Sequence, residues 1–399
     1  MSLRISGEFY MTNDNREYLD THHFIKFYLD LQDAAYKLWL LLGVAESKCK
    51  HLAGIPLRPE KQKELNQISL KRGVMATTAI EGNTLSDAEV DIISAGKLSE
   101  IPLSHKYQAQ EIKNMLDVYN GILQSVKSGE GCEVSLEILK RDNKLILQET
   151  RLEDYEKPGK IRTYPVGVGN YKAPSAKDCK YLLNRLFEWL SEDWHLSENN
   201  PLMKGILKAI AAHLYLAWIH PFCNGNGRTA RVLEFRLLMK YGVPSTAAHL
   251  LTSNDTREQY YERLKMSSRE VCGELDFIEY ALQGFVDALD SQINIILGEQ
   301  LNITWKNYIY NHCFGGKLTP ALRRRRDLLL EVSNFSQYMT LRELRYRLPD
   351  EILRQYQDKI KMFQRDLNYL ESEGMLYKTR AGYLAAKDKM KSLLPVKIN

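Results

Sequence analysis

The chain has 399 residues, of which 44% are hydrophobic and 26% charged, a balance typical of a globular protein with more than one core. The net charge of +5 is small for this length and gives no indication of a nucleic-acid partner by itself. No apolar run follows the amino terminus, and no stretch approaches the roughly 18 apolar residues of a membrane helix, so neither a signal peptide nor a membrane span is expected. The six cysteines lie far apart without metal-ligand spacing, which favours a cytoplasmic protein with reduced thiols and no structural zinc.

Helical periodicity dominates the beginning of the chain. Apolar side chains recur at steps of three and four from Phe24 to Leu42, which predicts an amphipathic helix. A second helix is expected from Glu60 to Ile80, ending where Gly82 suits a helix C-cap. We therefore predict an N-terminal helical region over residues 1–102.

The middle of the chain, residues 103–300, is predicted to be a helical core that is interrupted once. The segment Pro158–Tyr171 is rich in glycine and proline with β-favouring residues between them. It predicts a short hairpin, here called the flap, that projects from the helices. Helical spacing returns in Leu182–Leu190 and Leu207–Trp218. The predicted fold class is all-α with this one short β-hairpin in the core.

The last part of the chain, residues 301–399, has a different pattern. Short helices are expected after the basic run Arg323–Arg326, followed by a longer helix from Arg354 to Glu373. Two β-favouring stretches flank a turn at Ala381 and Gly382, which predicts a hairpin. Helices followed by a small hairpin are typical of a winged-helix (α+β) domain.

The most specific local signal is the loop from His220 to Arg228, here called the site loop, with the sequence HPFCNGNGR. Pro221 disfavours helical geometry at His220, so the preceding helix is expected to end there. The alternating asparagines and glycines that follow tolerate left-handed backbone angles and can turn successive N–H groups toward one anion. A helix opening at Arg228 adds unpaired N–H groups, and Arg231 lies on a neighbouring position of its face. These features predict a polyphosphate site with a histidine at its edge.

His220 to Arg231 resembles the signature of the Fic-domain family, H-P-F-x-[D/E/N]-G-N-G-R-x-x-R, and matches every fixed position. The resemblance implies a mostly helical fold and transfer of AMP from ATP to a Ser, Thr or Tyr hydroxyl of a protein. It also implies that His220 is the general base that takes the proton from the target hydroxyl. The residues that it assigns to nucleotide and phosphate binding in this region are Asn224, Gly225, Asn226, Gly227, Arg228 and Arg231.

One position departs from many members of that family. Where they carry an Asp or Glu that holds Mg²⁺ across the phosphates, this chain has Asn224. An amide oxygen can bind Mg²⁺, but it has no formal charge, so weaker metal binding at Asn224 is expected. ATP as the substrate and Mg²⁺ as its companion ion remain the expectation.

Two further stretches resemble parts of the same family's site. Gly159 to Pro174 resembles the flap that binds a target segment by strand addition. The residues so assigned to target binding are Arg162, Thr163, Val166 and Val168. Downstream, Asn254, Tyr260 and Tyr261 resemble residues on the adenine side of the pocket, although tyrosines on one helix face are also common in a core.

Thr77 to Asn83 resembles the family's inhibitory motif, [S/T]-x-x-x-E-[G/N], here placed ahead of the core. The resemblance assigns Thr77, Glu81 and Gly82 to an inhibitory helix whose carboxylate pairs with Arg231. ATP would then bind in a non-productive pose, because that guanidinium would otherwise hold the γ-phosphate. The helix dipole disfavours a carboxylate at a helix C-terminus, so Glu81 is expected to have a cationic partner.

Two alternatives remain open at this stage. The C-terminal region could bind DNA while the core senses nucleotide, although a solvated basic face or a protein-docking surface would explain the same charges. The residues concerned are Arg323–Arg326, Arg342, Arg345 and Arg347. The site loop alone does not separate AMP transfer from AMP removal or from transfer of another nucleotide. The expected partner is a protein with an accessible hydroxyl, no membrane association is expected, and a homodimer is left open.

Overall fold

The structure is a computed structural model that describes residues 4–6, 16–169, 171–194, 196, 200–245, 257–269, 273–316, 318–356 and 359–391. The chain divides into two compact units, Met1–Ile293 and Asn294–Asn399, which are described separately. The α-helices of the described residues are α1 (Glu17–Thr21), α2 (Tyr36–Gly54), α3 (Pro59–Ile80), α4 (Asp87–Ser94), α5 (Lys106–Lys127), α6 (Leu136–Ile146), α7 (Ala176–Ser191), α8 (Pro201–Ile219), α9 (Asn226–Lys240), α10 (Arg257–Ser267), α11 (Gly273–Tyr308), α12 (Pro320–Val332), α13 (Leu341–Arg347), α14 (Asp350–Arg354) and α15 (Ile360–Ser372). The strands are β1 (Arg4–Ser6), β2 (Tyr28–Asp30), β3 (Gly167–Val168), β4 (Tyr171–Lys172), β5 (Leu376–Thr379) and β6 (Gly382–Ala385), which form three antiparallel pairs. The prediction of an all-α fold class with small hairpins is confirmed.

The helix predicted from Phe24 to Leu42 is wrong in its first half. Strand β2 occupies part of that stretch and pairs with β1, and helix α2 begins only at Tyr36. Phe27 has a φ of 54°, which an α-helix does not accommodate. Leu29 and Leu31 are buried while the residue between them is partly exposed, which is the alternation of a strand.

Helix α3 confirms the second predicted helix and ends in a Schellman motif. The N–H of Gly82 donates to the Ala79 carbonyl at 2.9 Å, and the N–H of Asn83 donates to the Thr78 carbonyl at 3.0 Å. Gly82 has a φ of 97°, a left-handed conformation that glycine adopts without a steric penalty. The motif stops the helix at Glu81, whose side chain therefore leaves the helix at its last turn.

Helix α8 forms the centre of the N-terminal unit. Every residue from Gly205 to Ile219 is buried, and the helix packs against α9, α7 and α2. Within the described residues it alone is long and apolar enough to cross a membrane, but 83% of its most apolar window is buried inside the protein. Such burial is that of a core helix, and it places the C-terminal end of α8, where the site loop begins, against rigid neighbours.

The flap is a two-stranded hairpin, as predicted. Strands β3 and β4 pair antiparallel, and the stem of the flap is attached to the site loop through a bridge between Ile161 and Phe222. The hydroxyl of Tyr171 donates to the Trp218 carbonyl at 2.7 Å. The flap is therefore anchored to α8 at one end and to the site loop at the other.

The C-terminal unit has its own hydrophobic core. Helices α12 to α15 and the hairpin of β5 and β6 contribute to it, with Leu328, Leu344 and Leu367 fully buried. The helix predicted from Arg354 begins later, at Ile360, because α14 forms a separate short helix. The predicted order of helices followed by a hairpin is present, while the winged-helix assignment stays a prediction.

Two arginines of the basic run in α12 are engaged inside this unit. The Nε atoms of Arg324 and Arg325 donate to the two carboxylate oxygens of Asp366 at 2.7 and 2.9 Å, and Asp366 is fully buried. The guanidinium of Arg325 also lies 3.8 Å from the ring centroid of Tyr369. These two side chains are consequently committed to folding of the unit, and the charge available to an external phosphate is smaller than the sequence indicates.

Candidate active site

The site loop connects α8 to α9 through two left-handed residues. His220 has φ 48° and ψ 58°, a left-handed conformation that is uncommon for a residue other than glycine, and it ends α8. Phe222 is fully buried, and the side chain of Asn226 accepts from its N–H at 2.9 Å and donates to its carbonyl at 2.8 Å. The side chain of Asn226 thus closes the loop, so Asn226 has a clear structural role.

The beginning of α9 offers the anion-binding geometry that the sequence predicts. Gly225, at the N-cap, has a φ of 71° and no side chain that could accept from the first-turn N–H groups, which have no intrahelical acceptor in any α-helix. A methyl group on Gly227 would overlap the Glu81 carboxylate. Glycine at position 227 therefore permits another chain segment to approach this helix end closely.

His220 is held as a neutral imidazole. Burial lowers the pKa of His220 to about 4; the Ala217 carbonyl opposes this shift, the Arg162 guanidinium adds to it, and the Glu81 carboxylate opposes it. The Nδ1–H donates to the Ala217 carbonyl at 3.4 Å, which leaves Nε2 without a proton. A neutral ring with an open Nε2 can accept a proton at pH 7.

Arg162 is buried and holds the backbone around His220, rather than pointing outward from the flap. Its guanidinium donates to the carbonyls of His220 at 2.8 Å, Tyr164 at 2.9 Å and Pro174 at 2.6 Å. The side chain connects both ends of the flap to the histidine. Of the four residues expected to contact a target, Thr163 and Val168 are exposed and Val166 is partly exposed.

Glu81 and Arg231 form an ion pair at the centre of the site. Arg231 Nη2 lies 2.5 Å from Glu81 Oε1 and also donates to the Thr77 carbonyl at 3.1 Å. Burial opposes ionisation of Glu81, but Arg231, with Arg228 and His220, outweighs it and holds the pKa of Glu81 below its usual range. Arg231 is 2% exposed, and its Nε and Nη1 are buried with no hydrogen-bond partner. Two spare donors of a buried cation point to an anion larger than a single carboxylate.

A second carboxylate, Glu111, was not singled out by the sequence. Its Oε1 accepts from Arg228 at 2.8 Å, and its Oε2 lies 3.4 Å from the Asn83 amide. Asn83 also donates to the Gln108 carbonyl at 2.9 Å, so the turn after α3 is tied to α5. An ion pair that spans 117 positions leaves no local sequence signal.

Asn143 is a further residue that the sequence analysis missed. Its Nδ2 donates to the Asn224 carbonyl at 3.0 Å and to Thr229 Oγ1 at 3.1 Å, while its Oδ1 accepts from the Gly159 N–H at 2.8 Å. It therefore joins the base of the flap to the site loop. A signal was present, because Asp142 and Asn143 lie on the apolar face of α6, where an unexplained polar residue needs partners.

The predicted adenine-side residues have different environments. Tyr260 is buried, and its hydroxyl lies 2.8 Å from His213 Nε2, which bonds to Glu234 through Nδ1. Burial raises the pKa of Tyr261, a partly exposed residue whose ring centroid is 5.3 Å from that of Tyr260. Asn254 lies outside the described residues. The Tyr260 hydroxyl thus belongs to a buried hydrogen-bond network with His213 and Glu234, and Tyr261 is the more accessible of the two tyrosines.

The chain is similar to known proteins over this region. Residues 133–238 match the sequence model of the Fic/DOC family. Protein adenylyltransferase fic-1 of Caenorhabditis briggsae is 32% identical over 241 residues, which cover 58% of this chain and 44% of that protein. Protein adenylyltransferase Fic of Drosophila ananassae is 36% identical over 110 residues, which cover 28% of this chain and 20% of that protein. The chain therefore spans less than half the length of these curated relatives.

Two solved structures have a similar fold. A Fic domain containing signaling protein from Bacteroides thetaiotaomicron superposes with a TM-score of 0.50 at 20% identity, covering 65% of this chain and 97% of that one. Fic-1 from Caenorhabditis elegans superposes with a TM-score of 0.51 at 22% identity, covering 65% of this chain and 72% of that one. At 20% and 22% identity these two structures show the fold that the chain shares with them. The site loop between α8 and α9 lies within residues 133–238, the region that matches the Fic/DOC family model.

Proposed function

We propose that this protein transfers AMP from ATP to a Ser, Thr or Tyr hydroxyl of a target protein. The curated relatives carry the name protein adenylyltransferase, and the matched region contains the complete site loop. The observation that carries the proposal is the neutral His220 beside a helix N-terminus and the buried Arg231 with two unpaired donors. A proton acceptor beside an unfilled polyanion site is the arrangement that transfer from a nucleotide requires.

In the proposed reaction the target hydroxyl oxygen attacks the α-phosphorus of ATP. The new P–O bond forms as the bond between the α-phosphorus and the bridging oxygen breaks, and pyrophosphate leaves. His220 Nε2 takes the hydroxyl proton, as its open position and neutral state allow. The N–H groups at the start of α9, with Arg228, stabilise the charge on the phosphate oxygens. The exposed edge of the flap, including Val168, aligns the target backbone by strand addition.

We further infer that the protein rests in an inhibited state. Glu81 occupies Arg231 through a short ion pair, and its carboxylate lies against Gly227 at the beginning of α9. A γ-phosphate could pair with Arg231 only by displacing that carboxylate. ATP that enters without displacing Glu81 would leave its α-phosphate misaligned with His220.

Intact-mass measurement of the protein and of candidate targets after incubation with ATP tests this function. We expect a gain of one AMP mass in Glu81→Gly and little or none in the wild type. His220→Ala in the Glu81→Gly background should abolish the gain while nucleotide binding persists. Transfer that is equal in Glu81→Gly and the wild type would contradict the inhibition. Transfer that survives His220→Ala would contradict the assigned base.

A further inference from the structure

Glu156 lies beside the one position at which the site loop departs from the pattern of many relatives. Asn224 Nδ2 donates to Glu156 Oε1 at 3.2 Å, and Asn224 Oδ1 accepts from the Gly225 N–H at 2.7 Å. These two bonds together determine which way the amide faces. Its oxygen is used within the loop, and its donor side faces a carboxylate. The uncharged side chain of Asn224 is thus in contact with the charged carboxylate of Glu156.

The position of Glu156 is supported from two directions. Its second oxygen, Oε2, accepts from the Glu153 N–H at 2.9 Å, which holds the carboxylate in a local turn. Asn143 then ties this segment to the site loop, because it accepts from the Gly159 N–H and donates to the Asn224 carbonyl. The distance between Glu156 and the loop is therefore set by a chain of hydrogen bonds, of which those through Asn143 and Asn224 are partly buried.

The charges around Glu156 favour a cation. Within the part of the chain that the structure describes, Glu156 forms no ion pair, and it is partly exposed to solvent. The start of α9 next to it favours anions, so a bound phosphate and the Glu156 carboxylate would repel each other. A divalent cation between them would be attracted to both, and carboxylate and phosphate oxygens are the ligands that Mg²⁺ prefers. A carboxylate at position 224 would face Glu156 directly, whereas the amide of Asn224 complements it.

We propose that Glu156 supplies the carboxylate ligand for the Mg²⁺ ion that accompanies ATP, and that Asn224 positions this carboxylate by a hydrogen bond. The carboxylate that the site loop lacks at position 224 is here provided by the segment before the flap. The bound ion would neutralise phosphate charge. The inference rests on the proposed function, because the ion is expected only with a nucleotide polyphosphate.

Binding of Mn²⁺, measured by electron paramagnetic resonance in the presence of α,β-methylene-ATP, tests the assignment without catalysis. The parent protein is Glu81→Gly, in which Arg231 is free to meet the nucleotide. We expect Glu156→Gln to weaken Mn²⁺ binding at least roughly tenfold, because loss of an outer-shell partner already costs about 10–100-fold and loss of a direct ligand costs no less. Glu153→Gln removes the same charge from the same segment and should bind Mn²⁺ as the parent does. Asn224→Asp added to Glu156→Gln returns a carboxylate to the site and should restore most of the affinity.

The glutamine variant separates a ligand from a positioning role. The amide oxygen of Glu156→Gln can still accept the hydrogen bond from Asn224, so an unchanged Mn²⁺ affinity would show that Glu156 only orients the loop and would overturn the inference. Nucleotide binding in EDTA is measured in parallel and should be similar in the parent and Glu156→Gln. If the parent binds α,β-methylene-ATP in EDTA but its Mn²⁺ affinity does not depend on Glu156, this inference alone is overturned. A parent that binds no nucleotide with or without Mn²⁺ removes the proposed function as well.

Discussion

Replacing Glu81 by glutamine should destabilise the protein without nucleotide and strengthen its response to nucleotide. The structure explains both effects, because Arg231 is 2% exposed and Glu81 is its sole carboxylate partner among the described residues. Without that charge, the guanidinium keeps the Thr77 carbonyl and has two further donors that are already buried without a partner. Glutamine preserves the shape of the side chain, so the variant isolates the effect of the charge.

The magnitude follows from burial. Breaking a buried ion pair by removing one partner costs about 3–5 kcal/mol. The Glu81 side chain is 26% exposed, so solvent screening brings the expected loss down to the lower limit of that range or just below it, about 2–3 kcal/mol. For a unit of this size each kcal/mol lowers Tm by about 2 °C, so Tm should fall by about 5 °C. A nucleotide that binds the Glu81→Gln variant does not have to break this ion pair. It should bind at least roughly tenfold more tightly than to the wild type, since a tenfold change in affinity needs only about 1.4 kcal/mol.

Thermal unfolding with and without α,β-methylene-ATP measures both quantities. Glu64→Gln is the matched control, because Glu64 lies on the same helix in an ion pair with Lys61 but is 54% exposed. An exposed pair contributes about 0–1 kcal/mol, so this variant should change Tm by about 2 °C at most and leave the nucleotide response unaltered. Equal Tm values and equal nucleotide responses in the two variants would refute the reasoning that Arg231 depends on Glu81.

The further predictions concern His220, the flap and the C-terminal unit. Because burial lowers the pKa of His220 to about 4, the acid limb of kcat/KM in Glu81→Gly should lie near or below pH 4 rather than near 6.5, and a limb near 6.5 would contradict the neutral resting imidazole. The same shift means that the unfolded state binds the His220 proton first as the pH falls from about 6.5 to 4, so stability decreases over that window and His220→Ala should reduce this decrease. Arg162→Gln removes the donor that holds the His220 carbonyl. It should lower the rate of transfer in single-turnover measurements by roughly 10²-fold with little change in nucleotide affinity. Thr163→Ala, at an exposed neighbouring position, is the control and should retain the parent rate. Asp366→Asn leaves two guanidiniums without their shared carboxylate and should accelerate hydrogen exchange in α12 and α15; exchange equal to that of the wild type would show that this buried pair contributes nothing.

Local chemistry made several elements readable from the amino-acid sequence. Pro221 restricts the backbone angles of the site loop and its glycines widen them, in both cases through the covalent structure of the residue itself. The end of α8 and the turn into α9 can therefore be predicted from adjacent residues. The end of α3 could be predicted for the same reason, since Gly82 permits the left-handed φ that ends the helix. Periodicity was less reliable near Phe24, where apolar spacing suited a helix although Phe27 and the pairing of β2 with β1 form an extended segment.

Tertiary structure alone decided which side chains meet. The partners of the site loop, Glu111, Asn143 and Glu156, come from other segments, and contacts across such distances leave no periodic or local signature. Folding also reversed the expected orientation of Arg162, because the carbonyls of His220 and its neighbours need buried donors that the flap can supply. The sequence by itself determined the backbone of the candidate anion site and the position of its histidine. The fold decided the charges around that site, because electrostatic partners are set by distance in space rather than by position along the chain.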